Sequence, residues 1–428
     1  MGGQNLTSWD LVRDDNGRIT QKNETVDGVT SNYVYTYDPM GRLLTVTKDG
    51  ALVEEYQYNP NGTGTRTYEM NTLRGIAGRS LTYSDEDHLL TAGDTTYQYD
   101  LDGFLTTKTF ESDITEYNYS SRGELLSVTL PDSTFIEYIH DPLGRRIARK
   151  VDGVIVEKYL WQGLTKLLAV YDGSDNLIMR FEYADARMPV AMSSEGSTYC
   201  LTYDQVGSLR IVADATGNVV KKIDYDSFGN IIEDTNPAFE IPFGFAGGLH
   251  DTDTGLVRFG HRDYDPDVGR WTAKDPILFA GGDTDLYGYC LNDPVNLIDP
   301  LGLAWYDDWH YEGRDARNSN LPATPEQARR GGGTLLSPEM SQYHDDPKTE
   351  GPELKFIFKD GREAVYYSDT GQLVTDSRYK GTYNYVNPAP PSWNPLKWRG
   401  IAGRGVGHFL SDMLPYYMWG NDRPDLCK

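Results

Sequence analysis

Residues Tyr35–Val46 read YTYDPMGRLLTV. Tyr35 and Tyr37 are two apart, so on a strand they share one face. Tyrosine is a strong strand former whose polar tip tolerates a half-wet surface. Asp38-Pro39-Met40-Gly41 then has the chemistry of a tight turn, with the aspartate capping it and the glycine supplying a positive φ. Leu43–Val46 is β-rich and predicts the returning strand. The unit is therefore a hairpin, and one hairpin alone is not stable in water.

The unit recurs. Clear copies are Tyr97–Leu105 (YQYDLDGFL), Tyr117–Val128 (YNYSSRGELLSV), Tyr138–Ile147 (YIHDPLGRRI) and Ile223–Ile231 (IDYDSFGNI). Looser copies start near Asp14, Tyr56, Tyr83, Tyr171 and Leu201. The spacing, about 16 to 25 residues, is that of stacked units which bury a continuous face only together. On pattern alone, a β-propeller or β-helix remains open. The Y-x-Y-D-x-x-G-R unit, repeated over 9–235, resembles the YD repeats of Rhs proteins, insecticidal toxin-complex C components and teneurins. That resemblance implies a mainly β fold: antiparallel hairpins spiralling into a hollow shell, here a partial cocoon. Repeat-like sequence follows Met1-Gly2-Gly3 at once, the pattern of a truncated start.

A second landmark is Gly269–Leu303, GRWTAKDPILFAGGDTDLYGYCLNDPVNLIDPLGL. With Phe243–Gly248 and Arg258–Pro266 before it, this stretch resembles the Rhs-associated core, whose DPxGL motif marks the border of a variable C-terminal effector. The resemblance implies an intramolecular aspartyl protease. Asp275 and Asp299 would be its carboxylates, Lys274 would hold or tune Asp275, and the Leu303–Ala304 bond would be cut. Asp285 and Asp293 are lesser candidates. Two carboxylates held close cannot both ionise, so one keeps its proton and polarises the carbonyl while the other activates water. Each proline restricts the aspartate before it to extended geometry. The sequence departs from the family at Leu278, where the first motif carries glycine. The alternative is that Asp-Pro-x-Gly is only a β-turn and the segment only a structural closure. The expected division is 1–242 shell, 243–303 core and 304–428 effector.

The repeat ends at Leu303. Leu354–Tyr367 (LKFIFKDGREAVYY) predicts a hairpin around Asp360-Gly361, Pro325–Arg330 a short helix, and Val406–Trp419 an amphipathic helix, so the tail is expected to be a small α+β domain. Gly331–Gly333 has no Gly-Lys-Ser/Thr after it and predicts a joint, not a phosphate loop. No Walker loop, zinc-deaminase pattern or G-x-S-x-G is present, and no cofactor or metal is expected. Polar candidates for chemistry are His408, Asp412, His344, Glu363 and Asp376. On a helix His408 and Asp412 share a face, so Asp412 can orient His408 as a general acid or base. A structural role for His408 stays open. The tail fits an RNase-like nuclease toxin, a membrane-active toxin or a non-enzymatic binding segment.

Charge narrows the partners. The net charge is −24. From Ala304 onward 15 lysines and arginines face 17 acidic residues, a net −2, which leaves −22 before it. So acidic a shell repels phosphates and is not expected to bind nucleic acid. Three scattered cysteines, Cys200, Cys290 and Cys427, form neither a disulfide framework nor a metal cluster and suit a reducing cytoplasm. No signal peptide or membrane-spanning stretch is visible. The resemblance implies a protein made in the bacterial cytoplasm and delivered outward as a secreted effector. It implies a cognate immunity protein as partner, and a type VI secretion system or toxin-complex components as the delivery apparatus.

Overall fold

The computed structural model describes residues 6–60, 64–184 and 187–305, with 329, 334–335, 354–357 and 363–366 of the tail. The chain divides into two compact units, Met1–Trp305 and Tyr306–Lys428.

The first unit is built on one antiparallel meander of 22 strands among the described residues, from β1 (Thr7–Arg13) to β22 (Ile231–Asp234), each strand paired with the next. The repeat chemistry read from the sequence is what forms it. In the turn at Asp38, the carboxylate Oδ1 accepts the N–H groups of Met40 and Arg42 at 2.8 and 2.9 Å. The repeat arginine has a role the pattern did not disclose: Arg42 Nε donates back to Asp38 Oδ2 at 2.6 Å. The two tyrosines also divide the labour. Tyr35 is buried in the core. The second tyrosine sends its hydroxyl to a backbone carbonyl just beyond the preceding turn: Tyr37 to Ile19 (2.6 Å), Tyr58 to Leu43 (2.6 Å), Tyr83 to Arg66 (2.7 Å) and Tyr183 to Leu167 (2.8 Å). Each of these four hairpins is thus tied to its neighbour by a side chain as well as by the ladder.

The sheet curls until its ends meet. Val26 of β2 (Ile19–Val26) packs on Ile211 and Ala213 of β20 (Leu209–Asp214), and Glu24 pairs with Arg210 at 3.2 Å. Residues 243–303 fill the space enclosed. They carry a small antiparallel sheet of β23 (Leu249–His250), β24 (Val257–Phe259), β25 (Arg262–Asp265) and β26 (Arg270–Trp271). Tyr264, Tyr289 and Phe259 cluster around Trp271, with ring centroids 4.5 Å apart for Tyr264–Tyr289 and 5.8 Å for Phe259–Trp271.

Shell turns close on this core. Tyr287 donates to the Gly103 carbonyl at 2.7 Å, Tyr264 to Phe228 at 2.7 Å, and Asn296 accepts the Ile19 N–H at 2.7 Å. Arg146, from β14 (Arg146–Val151), meets Asp263 at 2.9 Å. The two-residue connections at Asp27-Gly28, Asp49-Gly50, Asp152-Gly153 and Glu195-Gly196 have open space around the glycine instead.

In the tail, β28 (Leu354–Ile357) pairs antiparallel with β29 (Glu363–Tyr366), the expected hairpin, and β27 (Thr334–Leu335) joins its edge. Arg329, inside the expected short helix, is helical. The expected helix Val406–Trp419 and the joint Gly331–Gly333 lie outside the described residues. Among the described residues no helix is long and apolar enough to cross a membrane.

Candidate active site

The two Asp-Pro tetrads fold alike. The Leu278 N–H bonds back to the Asp275 carbonyl at 3.0 Å, and the Gly302 N–H to the Asp299 carbonyl at 3.2 Å. The Asp275 side chain accepts the Ile277 N–H at 2.9 Å, and Asp299 Oδ1 accepts the Leu303 N–H at 3.0 Å. The fourth residue of each turn has a positive φ, +54° at Leu278 and +63° at Gly302. Glycine adopts this freely, whereas a branched residue pays a steric penalty of roughly 1–2 kcal/mol. Leu278 is half-exposed and loses little burial when trimmed. Leu278→Gly is therefore expected to stabilise the chain by about 0.5–1 kcal/mol, after the glycine's greater unfolded-state entropy is subtracted. A denaturant midpoint that falls contradicts the strain.

Both carboxylates converge on one guanidinium. Arg262 Nη2 lies 2.9 Å from Asp275 Oδ2 and 3.3 Å from Asp299 Oδ2, and all three side chains are buried. Arg262 also donates from Nε to the Gly302 carbonyl at 2.6 Å and from Nη1 to the Leu286 carbonyl at 3.2 Å. Its guanidinium stacks 4.3 Å from the Trp271 ring centre, so packing and hydrogen bonds fix it together. In the sequence Arg262 lies within the core stretch Arg258–Pro266 and carries no motif of its own. A basic residue inside the aromatic run Phe259–Tyr264 was the available signal.

The bond between Leu303 and Ala304 stands at this cluster. A cavity of about 10 Å³ is lined by Arg262, Asp275, Asp299, Leu303 and Ala304 among others, room for about one water. Gly281 closes it. A Cβ there would stand 2.6 Å from both Asp275 Oδ2 and the Leu303 carbonyl oxygen, so both oxygens border the space over a residue that must lack a side chain. Burial pushes Asp275 up to about 6, with Arg262 pulling against it. Burial also raises Asp299, against Arg262 and the backbone N–H groups of Leu303, Ala304 and Gly302.

The other sequence candidates are placed elsewhere. Lys274 does not hold Asp275: its Nζ lies 5.9 Å from the Phe104 ring centre, toward the shell, and Arg262 stands where a lysine was expected. Adjacent residues on extended backbone point to opposite sides, which is the physical reason. Asp285 is taken by Arg270 in a two-point pair at 2.6 and 2.9 Å. Asp293 accepts from Asn296 at 2.8 Å and does not line the cavity at Leu303. Glu363 is at the start of β29, across from Ile357. His344, His408, Asp412 and Asp376 lie outside the described residues.

A curled meander of Tyr-Asp hairpins closed on an internal core segment defines a YD-repeat β-shell. The Teneurin YD-shell family model matches residues 1–295, and the chain belongs to that family. Human Teneurin-4 is 33% identical over 430 residues, covering 96% of this chain and 15% of its own length. The Double-stranded DNA deaminase toxin A of Burkholderia cenocepacia (strain H111) is 29% identical over 317 residues, covering 66% of this chain and 21% of its own. Among solved structures, TcdB2-TccC3-Cdc42 aligns with a TM-score of 0.37 and 18% identity, over 71% of this chain and 20% of that one. The chain thus spans about a fifth or less of the length of these proteins.

Proposed function

We propose that residues 1–303 are a shell that cuts its own chain between Leu303 and Ala304 and thereby frees 304–428 as an effector. The observation that carries this is the convergence of Asp275 and Asp299 on Arg262 beside the Leu303 carbonyl. Asp275, pushed up to about 6 by burial, polarises the carbonyl oxygen in its protonated form. Asp299, held by Arg262 and its own turn, takes a proton from water as that water attacks. Arg262 holds both carboxyls in place beside that carbonyl. Intact-mass measurement of purified wild-type protein tests this. Two fragments meeting at Leu303/Ala304 are expected, and a chain that stays whole over days refutes it.

The freed tail reads best as a toxin of nuclease type, with His408 as proton-transfer group, Asp412 its orienter, and His344 and Glu363 behind them. Support for a toxin, though not for its nuclease type, comes from the position after DPLGL and from a shell relative whose name is that of a DNA deaminase toxin. A producing cell then requires an immunity protein, and delivery falls to a type VI secretion or toxin-complex apparatus. One observation favours a second reading, a non-enzymatic binding tail. The likeness to Teneurin-4 covers 96% of this chain and so runs past Leu303. Expression of Ala304–Lys428 in bacteria separates the two. A toxin arrests growth, and His408→Ala in a folded tail restores it. Normal growth leaves the binding tail, and dye leakage from liposomes marks a membrane-active tail instead.

A further inference from the structure

Asp283 is a carboxyl that the two-aspartate chemistry leaves unused. It lines the same cavity as Asp275, Asp299, Leu303 and Ala304. Its Oδ1 accepts the Asp285 N–H at 2.9 Å. Its Oδ2 is shut off from solvent and meets no protein donor among the described residues. Gly288 leaves space for that oxygen, since a Cβ there would stand 2.7 Å from it. Trp305, two residues past Leu303, lines the cavity too, and its indole Nε1–H is likewise buried without a protein acceptor among the described residues. A desolvated indole N–H and a desolvated carboxyl oxygen, which accepts when ionised and donates when protonated, are partners for a single buried water in one small polar cavity.

We propose that Asp283 is a third functional carboxyl of the cleavage pocket: with Trp305 it seats the attacking water, and in its neutral form it gives the proton that leaves with the Ala304 amine. This rests on the self-cleavage reading. The water oxygen bonds to the Leu303 carbonyl carbon, and one water proton passes to the Asp299 carboxylate. The carbon–nitrogen bond breaks, and the Ala304 nitrogen takes the proton from Asp283. Asp275 keeps its proton, hydrogen-bonded to the carbonyl oxygen, throughout, so one water is consumed and one proton is transferred in net from Asp283 to Asp299. The protein cuts itself once, so Asp283 need not be recharged.

The charges around Asp283 suit the role. Burial first, then the Asp285 carboxylate, push it up to about 7, while Arg270 pulls weakly the other way because it is spent on Asp285. The buried Cys290 thiol, raised by burial and by Asp299, Asp293 and Asp283, stays neutral beside it. Arg262 is committed to Asp275 and Asp299.

The test is the pH profile of cleavage in the full chain, made by cell-free translation, shifted to buffers from about pH 5.5 to 8.5, and followed by intact mass. Wild type needs neutral Asp275 and neutral Asp283, at about 6 and about 7. Its rate is expected to fall about tenfold per pH unit between them and about a hundredfold per unit above pH 7. Asp283→Asn is expected to cleave at least about tenfold more slowly at the acid end and to keep only the shallower fall throughout. Asp283→Glu, which retains the carboxyl, keeps the steep limb and covers the case in which the asparagine variant misfolds. Wild-type rate and steepness in Asp283→Asn, or a shallow profile in a cleaving Asp283→Glu, overturns this proposal alone. A wild-type chain that never cleaves overturns the self-cleavage reading and this one with it.

Discussion

A full-length chain carrying Asp275→Asn or Asp299→Asn is expected to remain whole under conditions in which wild type divides at Leu303–Ala304. Asparagine preserves volume but neither yields nor accepts the proton, so the loss is on the order of 10²–10⁴ in rate. The two substitutions act by different routes. Asp275→Asn leaves the Leu303 carbonyl without an acid opposite it. Asp299→Asn removes the proton acceptor and weakens the turn that presents Leu303, since Asp299 Oδ1 holds the Leu303 N–H at 3.0 Å. Intact mass over several days reads both. Cleavage that persists undiminished in either variant removes that carboxylate from the chemistry. The sign with pH is fixed by Asp275. Its working form is neutral and its carboxyl is pushed up to about 6, so cleavage declines above that value, while protonation of Asp299, whose carboxyl burial also raises, limits it on the acid side.

The second large effect is on stability. Asp263 sits between two buried arginines, Arg146 of the shell at 2.9 Å and Arg258 of the core at 2.7 Å. Burial opposes its charge, but Arg258 and Arg146 outweigh burial and hold the carboxyl below its ordinary value. Asp263→Ala leaves two desolvated cations facing each other, and removal of one partner from a buried pair costs about 3–5 kcal/mol. For a unit this large that corresponds to a fall in Tm of about 10 °C. Asp253→Ala is the matched control: it also loses an arginine partner, Arg149, but the aspartate is exposed and the expected cost is below about 1 kcal/mol. Equal melting shifts for the two contradict the assignment of Asp263 as the clamp between shell and core.

The strands were legible because their causes are local. Tyr-x-Tyr sets the face, Asp-x-x-Gly sets the turn, and both act within a dozen residues. The curl that brings Glu24 to Arg210 was not legible, because it accumulates from the twist of every strand pair. The site divides the same way. Asp275 and Asp299 carry the signature of the proline that follows them. Arg262 is joined to them only in space, 13 residues before one and 37 before the other. Lys274 is adjacent to Asp275 in sequence but not in space, because neighbouring side chains on extended backbone point to opposite sides. Asp283 carries no proline and shows its importance only through the cavity it lines.

The open two-residue turns at Asp27-Gly28, Asp49-Gly50, Asp152-Gly153 and Glu195-Gly196 make the shell unequal as a host for added sequence. At the core-facing turns an inserted atom meets Tyr287, Phe245 or Phe104. At the open turns a peptide tag or a small folded module can leave and rejoin the hairpin without crossing anything, the geometry under which insertion is best tolerated. A reporter placed there would ride on a shell whose inner packing is untouched.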